Sequence, residues 1–451
     1  MRKRRSARRR AASGPAVTDS AEPLWSRGFG NLGRDGVVAI LALLLTSELF
    51  QHLWQDLPGG ATGLAGLRVA LFLYMGLALQ RHAGADFIPW LVRRQPVLLL
   101  LLALAFLSAL WSLAPERSLT RAATLLATTM TGIFIGYRFA AHDAMRILFW
   151  TLALALGANL LVTLLLPDYA ITGIYQRGYL RFAWQGATGN KNVLGGLAAV
   201  AALFFLVGTI GRRIEPLPGI VCSGLALVTL ILAQAATAQV ALGAALAVLI
   251  ATLLAQRFRV PPTFLLVAMI VALSVAAVLV AGVWRDQFAA LLERDDDFTD
   301  RIQIWLDAIA IIAEQPWTGY GYGAVWSLEH GHLFPETIRT AQAKHAHNGF
   351  LNLATELGLP AALLAFAQVL ATLARSVRAF ARRPAGLPLL ATCYAVLFLV
   401  SNMAESKLYV PVSFDWMVFV ALMVALVRFD EPRPRPAAGR RSRGHLASQH
   451  D

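Results

Sequence analysis

Runs of about 20 apolar residues recur along the chain, which is the length of helix that crosses a bilayer. They lie near residues 36–55, 61–80, 96–113, 119–137, 145–166, 190–209, 217–234, 237–255, 262–284, 359–376, 386–403 and 411–428. The seventh and eighth are the least separated, with a few residues around Thr237 between them. Backbone groups in lipid must be bonded within their own segment, so each run is expected to be helical. The expected fold is an all-α polytopic membrane protein. It has about 12 transmembrane helices and a long, partly helical periplasmic loop.

Loop charges orient this bundle. Alternate connections hold Arg81, Arg93 and Arg94; Arg138 and Arg146; Arg212 and Arg213; Arg257 and Arg259; and Arg375, Arg378, Arg382 and Arg383. Basic loops mark the cytoplasmic side, and an even number of spans puts both tails there too. Five regions follow: a basic cytoplasmic tail (1–35), spans one to nine (36–284), a long periplasmic loop (285–358), spans ten to twelve (359–428) and a second basic tail (429–451). The first block of spans includes a periplasmic loop at 167–189. Basic residues at Met1–Arg10 are followed by polar residues to about Arg34, so this stretch reads as a tail and not as a cleaved signal.

Composition agrees with this layout. Of 451 residues, 57% are hydrophobic and 15% charged, against about 25% charged in soluble domains. That excludes a disordered chain, a disulfide scaffold and an ordinary soluble enzyme. The net charge of +14 sits mostly in the tails, which carry +7 over residues 1–10 and +3 over 428–451. The body offers no basic face for nucleic acid, and basic tails suit an anionic leaflet. Cys222 and Cys393 both lie in apolar runs, away from any zinc or disulfide pattern.

The periplasmic loops carry the candidate chemistry. They hold cations against the topological trend: Arg177, Arg181 and Lys191 in or beside the first, and Arg285, Arg294, Arg301, Arg339 and Lys344 in the second. An anionic ligand would explain them; long loops that translocate regardless of charge would also do so. Within the second loop, Asp300–Glu314 has helical spacing, with Ile302, Trp305, Leu306, Ile309 and Ile312 on one side. Thr299 or Asp300 caps its start, which places Arg301 in the first turn, where a bound anion would offset its clash with the helix dipole. The alternative is a surface pair with Asp297 or Asp300. Gly319-Tyr-Gly-Tyr-Gly323 allows a tight, close-packed turn.

Four histidines follow or flank that turn: His330, His332, His345 and His347. The paired spacing has no third metal ligand nearby in sequence, so no metal is expected. The acids Glu293, Asp295, Asp296 and Asp297 read as a solvated charge run. Asn348 caps a short helix, Gly349–Leu357, closed by Gly358 and followed by Pro360 at the next span. His347 then stands just before a helix start, either as a base for a hydroxyl or as a histidine bonded within the loop.

These residues resemble the O-antigen ligase and polymerase superfamily. The resemblance rests on Thr299-Asp-Arg301-Ile-Gln-Ile-Trp305, Pro316-Trp-Thr-Gly319-Tyr-Gly321, His345-Ala-His347-Asn348-Gly-Phe-Leu351 and Glu356-Leu-Gly358-Leu-Pro360. Trp184-Gln-Gly186-Ala-Thr-Gly189-Asn-Lys191-Asn192 and Trp111-Ser-Leu-Ala-Pro115-Glu-Arg-Ser118 are similar to the exopolysaccharide, repeat-unit polymerase branch. Three departures stand out. Asp300 replaces a usual glycine, Asn190 stands where that branch often has histidine, and Ala233–Gln239 lacks a serine and a basic residue beside Thr237.

The resemblance implies a bacterial inner-membrane glycosyltransferase, multi-pass, with both termini cytoplasmic. It implies a metal-independent enzyme, without cofactor, that polymerises polyprenyl-diphosphate-linked oligosaccharide repeats into exopolysaccharide or O-antigen. A ligase that moves the glycan to lipid A-core is the alternative, and a lipid-linked sugar transporter is the rival of another class. Membrane lipid and a chain-length regulator are the further partners. Negative charge grows on the departing diphosphate, and positioned cations lower that barrier. Arg181, Lys191 and Arg301 are the expected diphosphate contacts, with His345 and Asn348 at the glycan. His347 is the expected base, and Arg301 acts with it as the second catalytic group.

Overall fold

The computed structural model describes residues 23–24, 32–47, 49, 60–176, 179–265, 296–326, 345–384 and 386–431. Its helices are α1 (Gly33–Thr46), α2 (Gly60–Ala83), α3 (Phe87–Arg94), α4 (Pro96–Leu107), α5 (Pro115–Arg138), α6 (Ala141–Leu165), α7 (Lys191–Ile210), α8 (Pro216–Leu232), α9 (Ala236–Arg257), α10 (Asp296–Glu314), α11 (Gly349–Leu357), α12 (Leu359–Arg382), α13 (Gly386–Ser401) and α14 (Phe414–Asp430). Strands β1 (Ile171–Gln176) and β2 (Tyr179–Trp184) lie between α6 and α7.

Local chemistry sets these boundaries. Pro96, Pro115 and Pro216 open α4, α5 and α8, where the missing N–H costs nothing. Pro96 also breaks the chain at Gln95, and the helices on its two sides bend by 91°. Asn190 caps α7 by accepting from the N–H groups of Asn192 at 2.8 Å and Val193 at 3.3 Å. Ser413 caps α14 through the Trp416 N–H.

Five of the described helices (α5, α6, α7, α9 and α12) are long and apolar enough to cross a membrane, and the bent pair around Gln95 would make a sixth. Helices α8 and α13 are apolar but shorter. The helical, apolar character expected from the sequence is present, while this count falls short of 12. One expected span, 262–284, lies beyond residue 265 and mostly outside the described residues. So do both tails, Arg177, Arg285, Arg294, Arg339, Lys344, Glu293, Asp295, His330 and His332.

Two expectations need correction. The loop at 167–189 is not helical or irregular throughout. It holds an antiparallel hairpin in which Ile171 faces Trp184 and Ile174 faces Arg181, so the fold is not purely α. The Ile, Tyr, Leu, Phe and Trp residues of these short segments favour a pleated backbone. The second correction concerns Arg301. The described part of helix α10 already begins at Asp296, ahead of Thr299 and Asp300. Arg301 therefore stands beyond the first turn, past the free N–H groups.

A close helix contact joins α5 and α14. A Cβ at Gly132 would lie 2.7 Å from the Met417 carbonyl, and one at Gly136 would lie 2.5 Å from that of Ala421. Small residues four apart let the two backbones meet, as in helix pairs within lipid. Around this seam Trp416 is fully buried and donates to Thr129 Oγ1 at 2.9 Å.

The two ends of the bundle differ chemically. At one end Arg138 pairs with Asp35 at 2.8 Å, Arg382 with Asp430 at 2.9 Å, and Trp90 Nε1 bonds Glu431 at 2.7 Å. The opposite ends of α5, α12 and α14 converge on α10, α11 and the connection from Asn402 to Ser413.

Candidate active site

Asn402 organises this end. Its side-chain oxygen accepts from the N–H groups of Lys407 at 3.0 Å and Leu408 at 2.8 Å, and its carbonyl accepts from Gly349 N–H at 2.8 Å. The connection after α13 is thus tied to the first residue of α11. Asn348 caps α11, as its sequence position predicts, by accepting from Phe350 N–H at 3.0 Å and Leu351 N–H at 3.1 Å. Asn348 also donates to the Met403 carbonyl at 3.2 Å.

Held in this way, Glu405 sits between Arg301 and His347. Arg301 Nη2 donates to Glu405 Oε1 at 3.1 Å, and Nη1 donates to the Ala404 carbonyl and to Thr237 Oγ1 at 3.3 Å. The other carboxylate oxygen lies 3.7 Å from His347 Nδ1. Asn192 Nδ2 approaches Oε1 at 3.5 Å. Burial alone would raise the Glu405 pKa, but the contact with His347 and the charges of Arg301 and the two histidines outweigh it and hold the carboxyl down to about 2. Glu405 is therefore an anion at neutral pH. Arg301 is paired with it; the side chains of Asp297 and Asp300 lie outside those described.

His345 and His347 stack with ring centres 4.2 Å apart. His345 Nδ1 accepts the His347 backbone N–H at 3.2 Å. Burial first, and then the neighbouring His347, push His345 down to about 4, so it is neutral with its proton on Nε2. His347 has φ +47°, a left-handed conformation uncommon outside glycine. Such backbone costs about 1–3 kcal/mol and gathers at functional sites.

The Gly319–Gly323 turn packs against this region closely, as expected. Gly319 (φ +60°) has no room for a Cβ, which would lie 2.5 Å from the Glu356 carbonyl carbon. Backbone bonds from Tyr320 N–H to Thr355 O and from Gly321 N–H to Glu356 O fix the turn on α11. Tyr320 donates to Glu314 at 2.9 Å, and burial, with that carboxylate, pushes its phenol up to about 12.

Of the expected residues, the fold brings Arg301, His345, His347 and Asn348 together. Arg181 is exposed on β2, and Lys191 is the first residue of α7, half-buried. Neither lines the small cavity beside Arg301, which is walled by Asn192, Thr237, Ser401, Glu405 and Lys407. Sequence reasoning missed Glu405 and Lys407 as site members. The signal was there in part, because an acid kept beside an apolar run is a functional candidate by default. Lys407 bonds Asp415 at 3.1 Å and places a cation in the Thr237 cavity, where the local sequence has none.

The expectation of no metal also loses its reason. His345, His347 and Glu405 each offer a ligand atom, and these lie within 4.8 Å of one another. Tertiary structure thus supplies the third ligand that sequence spacing lacked. The Arg301 guanidinium, already on Glu405, opposes a cation there.

No curated protein matches the chain. The family match runs from within α8 to within α12, so it contains Thr237, Arg301, His345 and His347 but not Glu405. Residues 221–366 match the family model described as O-antigen ligase, so this part of the chain is similar to that family.

Proposed function

We propose that the chain is an inner-membrane glycosyltransferase that polymerises polyprenyl-diphosphate-linked oligosaccharide repeats on the periplasmic side. The observation that carries this reading is Glu405 held between Arg301 and His347. A carboxylate on Nδ1 holds an imidazole so that Nε2 can take a proton. Here that proton comes from the acceptor hydroxyl, whose oxygen attacks the anomeric carbon of the donor. Arg301, with Lys407 nearby, stabilises the charge growing on the leaving diphosphate. Arg181 and Lys191 guide the lipid diphosphate from the hairpin and the start of α7, and His345 and Asn348 shape the glycan side. Displacement in one step inverts the anomeric carbon. The apolar helices and the family both support a membrane location.

A second reading has its own support. The matched family is described as O-antigen ligase, and in that case the acceptor is lipid A-core. Membranes carrying wild type, His347→Ala or Arg301→Ala at equal protein level are supplied with a lipid-linked repeat. A ladder of repeats on lipid diphosphate identifies a polymerase, and glycan on lipid A-core identifies a ligase. Normal product from both variants refutes the assignment. Unchanged glycan moved across the membrane identifies a transporter. A chelator that stops transfer would show that the His345–His347–Glu405 group holds a metal.

A further inference from the structure

A second polar cavity has His345 in its wall. It measures about 60 Å³ and is lined by Arg117, Arg121, His345, Asn352, Glu356 and Ser406, among others. Water takes about 10–15 Å³ on this measure, so the space fits a few waters or one compact polar group. Arg117 and Arg121 stand one turn apart on α5 and face the same cavity. Like charges at this spacing repel, so a counter-charge is needed between them.

The protein supplies that charge incompletely. Glu356 is the acid in the cavity wall, and it is fully buried with Asn352 donating to it at 3.1 Å. Burial pushes its carboxyl up to about 7, against the pull of Arg121, the Gly323 N–H, Asn352 and Arg117. Arg117 Nε is engaged by the Gly323 carbonyl at 2.9 Å. Arg121 Nε and Ser406 Oγ, both buried in the cavity wall, have no hydrogen-bond partner among the described residues. Buried donors without partners are costly. Gly323 (φ +68°) preserves the opening, because a Cβ there would lie 2.2 Å from Arg121 Cδ.

We infer that this cavity binds the carboxylate of an acidic sugar, a hexuronate or similar residue, in the glycan whose hydroxyl reaches His347. Two guanidinium groups read a planar carboxylate by paired hydrogen bonds. His345 forms part of the cavity wall, and its ring centre lies 4.2 Å from that of His347, so a carboxylate here fixes the sugar ring beside the base. The inference rests on the glycosyltransferase reading, and the site separates the diphosphate, at Arg301, from the sugar's own anion.

The test uses the full chain in detergent and saturation-transfer NMR with glucuronate, glucose and inorganic phosphate as probes. Glucuronate is expected to bind wild type and Arg301→Gln alike. Arg121→Gln and Arg117→Gln should each weaken binding about tenfold or more, because each removes a charged hydrogen bond. Arg121→Lys should recover part of it, and glucose should not compete. Should Arg121→Gln fail to fold, Arg117→Gln carries the test, since Arg117 is exposed. Glucuronate binding that survives both glutamine variants overturns the inference, as does binding lost only in Arg301→Gln. Equal binding of glucose, or binding of phosphate without glucuronate, also overturns it. Arginine-dependent glucuronate binding in a chain that transfers no glycan would keep the site and reject the transferase.

Discussion

Replacing Glu405 by Gln keeps the shape of the side chain and removes its charge. A carboxyl held at about 2 where 4.5 is ordinary is stabilised as the anion by about 3 kcal/mol in the folded chain. Breaking a buried pair by removing one partner costs about 3–5 kcal/mol, the same order. The sign follows from the depressed folded-state pKa. This contribution is fully present above pH 4.5 and is lost as pH falls toward 2. Glu405→Gln should therefore denature earlier than wild type in detergent at pH 7, with the gap closing as pH drops below 4.5.

The catalytic consequence has a separate cause. With the amide oxygen toward Arg301, the amide N–H₂ faces His347 Nδ1 across the present 3.7 Å. Nδ1 then accepts, the ring proton moves to Nε2, and the base is blocked. Loss of the correct tautomer in a comparable triad costs about 10⁴-fold in rate; with the longer contact here, about 10²-fold or more is expected. The assay is the initial rate of glycan transfer in membranes, per molecule of protein. A Glu405→Gln rate close to wild type, in membranes where Arg301→Ala is inactive, would refute the reasoning.

Three further outcomes are expected. Glu356 is raised to about 7 by burial, so the folded chain holds its proton more tightly than the unfolded one and stability falls as pH rises from 4.5 through 7; Glu356→Gln should flatten that slope in thermal melts between pH 5 and 8. Gly319→Ala places a Cβ 2.5 Å from backbone at φ +60°, costing at least about 1–2 kcal/mol for the conformation alone, and should lower both melting temperature and transfer rate. Gly136→Leu drives a side chain into the Ala421 carbonyl and should loosen α5 from α14, read as a lower melting temperature and faster proteolysis.

Much of the site was legible one segment at a time. Asn348, Gly349–Leu357 and Gly358 follow capping rules that act over four or five residues, and Arg301 and His347 stood out as polar residues in a long loop. Glu405 did not, because its significance comes from Arg301 and His347, far away in sequence. The start of α10 was placed too late for a similar reason. Thr299 and Asp300 make a good local cap, yet the helix already includes Asp296. The hairpin at 171–184 was hidden because short apolar segments fit strand and helix alike.

The sequence by itself determined the helical, apolar architecture and the separation of its basic stretches from its candidate chemistry, since hydrophobic periodicity and charge act residue by residue. Tertiary structure alone decided which charges meet. It paired Arg301 with Glu405, set His347 against the same carboxylate and brought Lys407 into the Thr237 cavity. It also gathered Arg117, Arg121 and Glu356 around one cavity. The physical reason is range: caps and periodicity are satisfied by neighbours in the chain, whereas a buried charge is satisfied by whatever the packing places beside it.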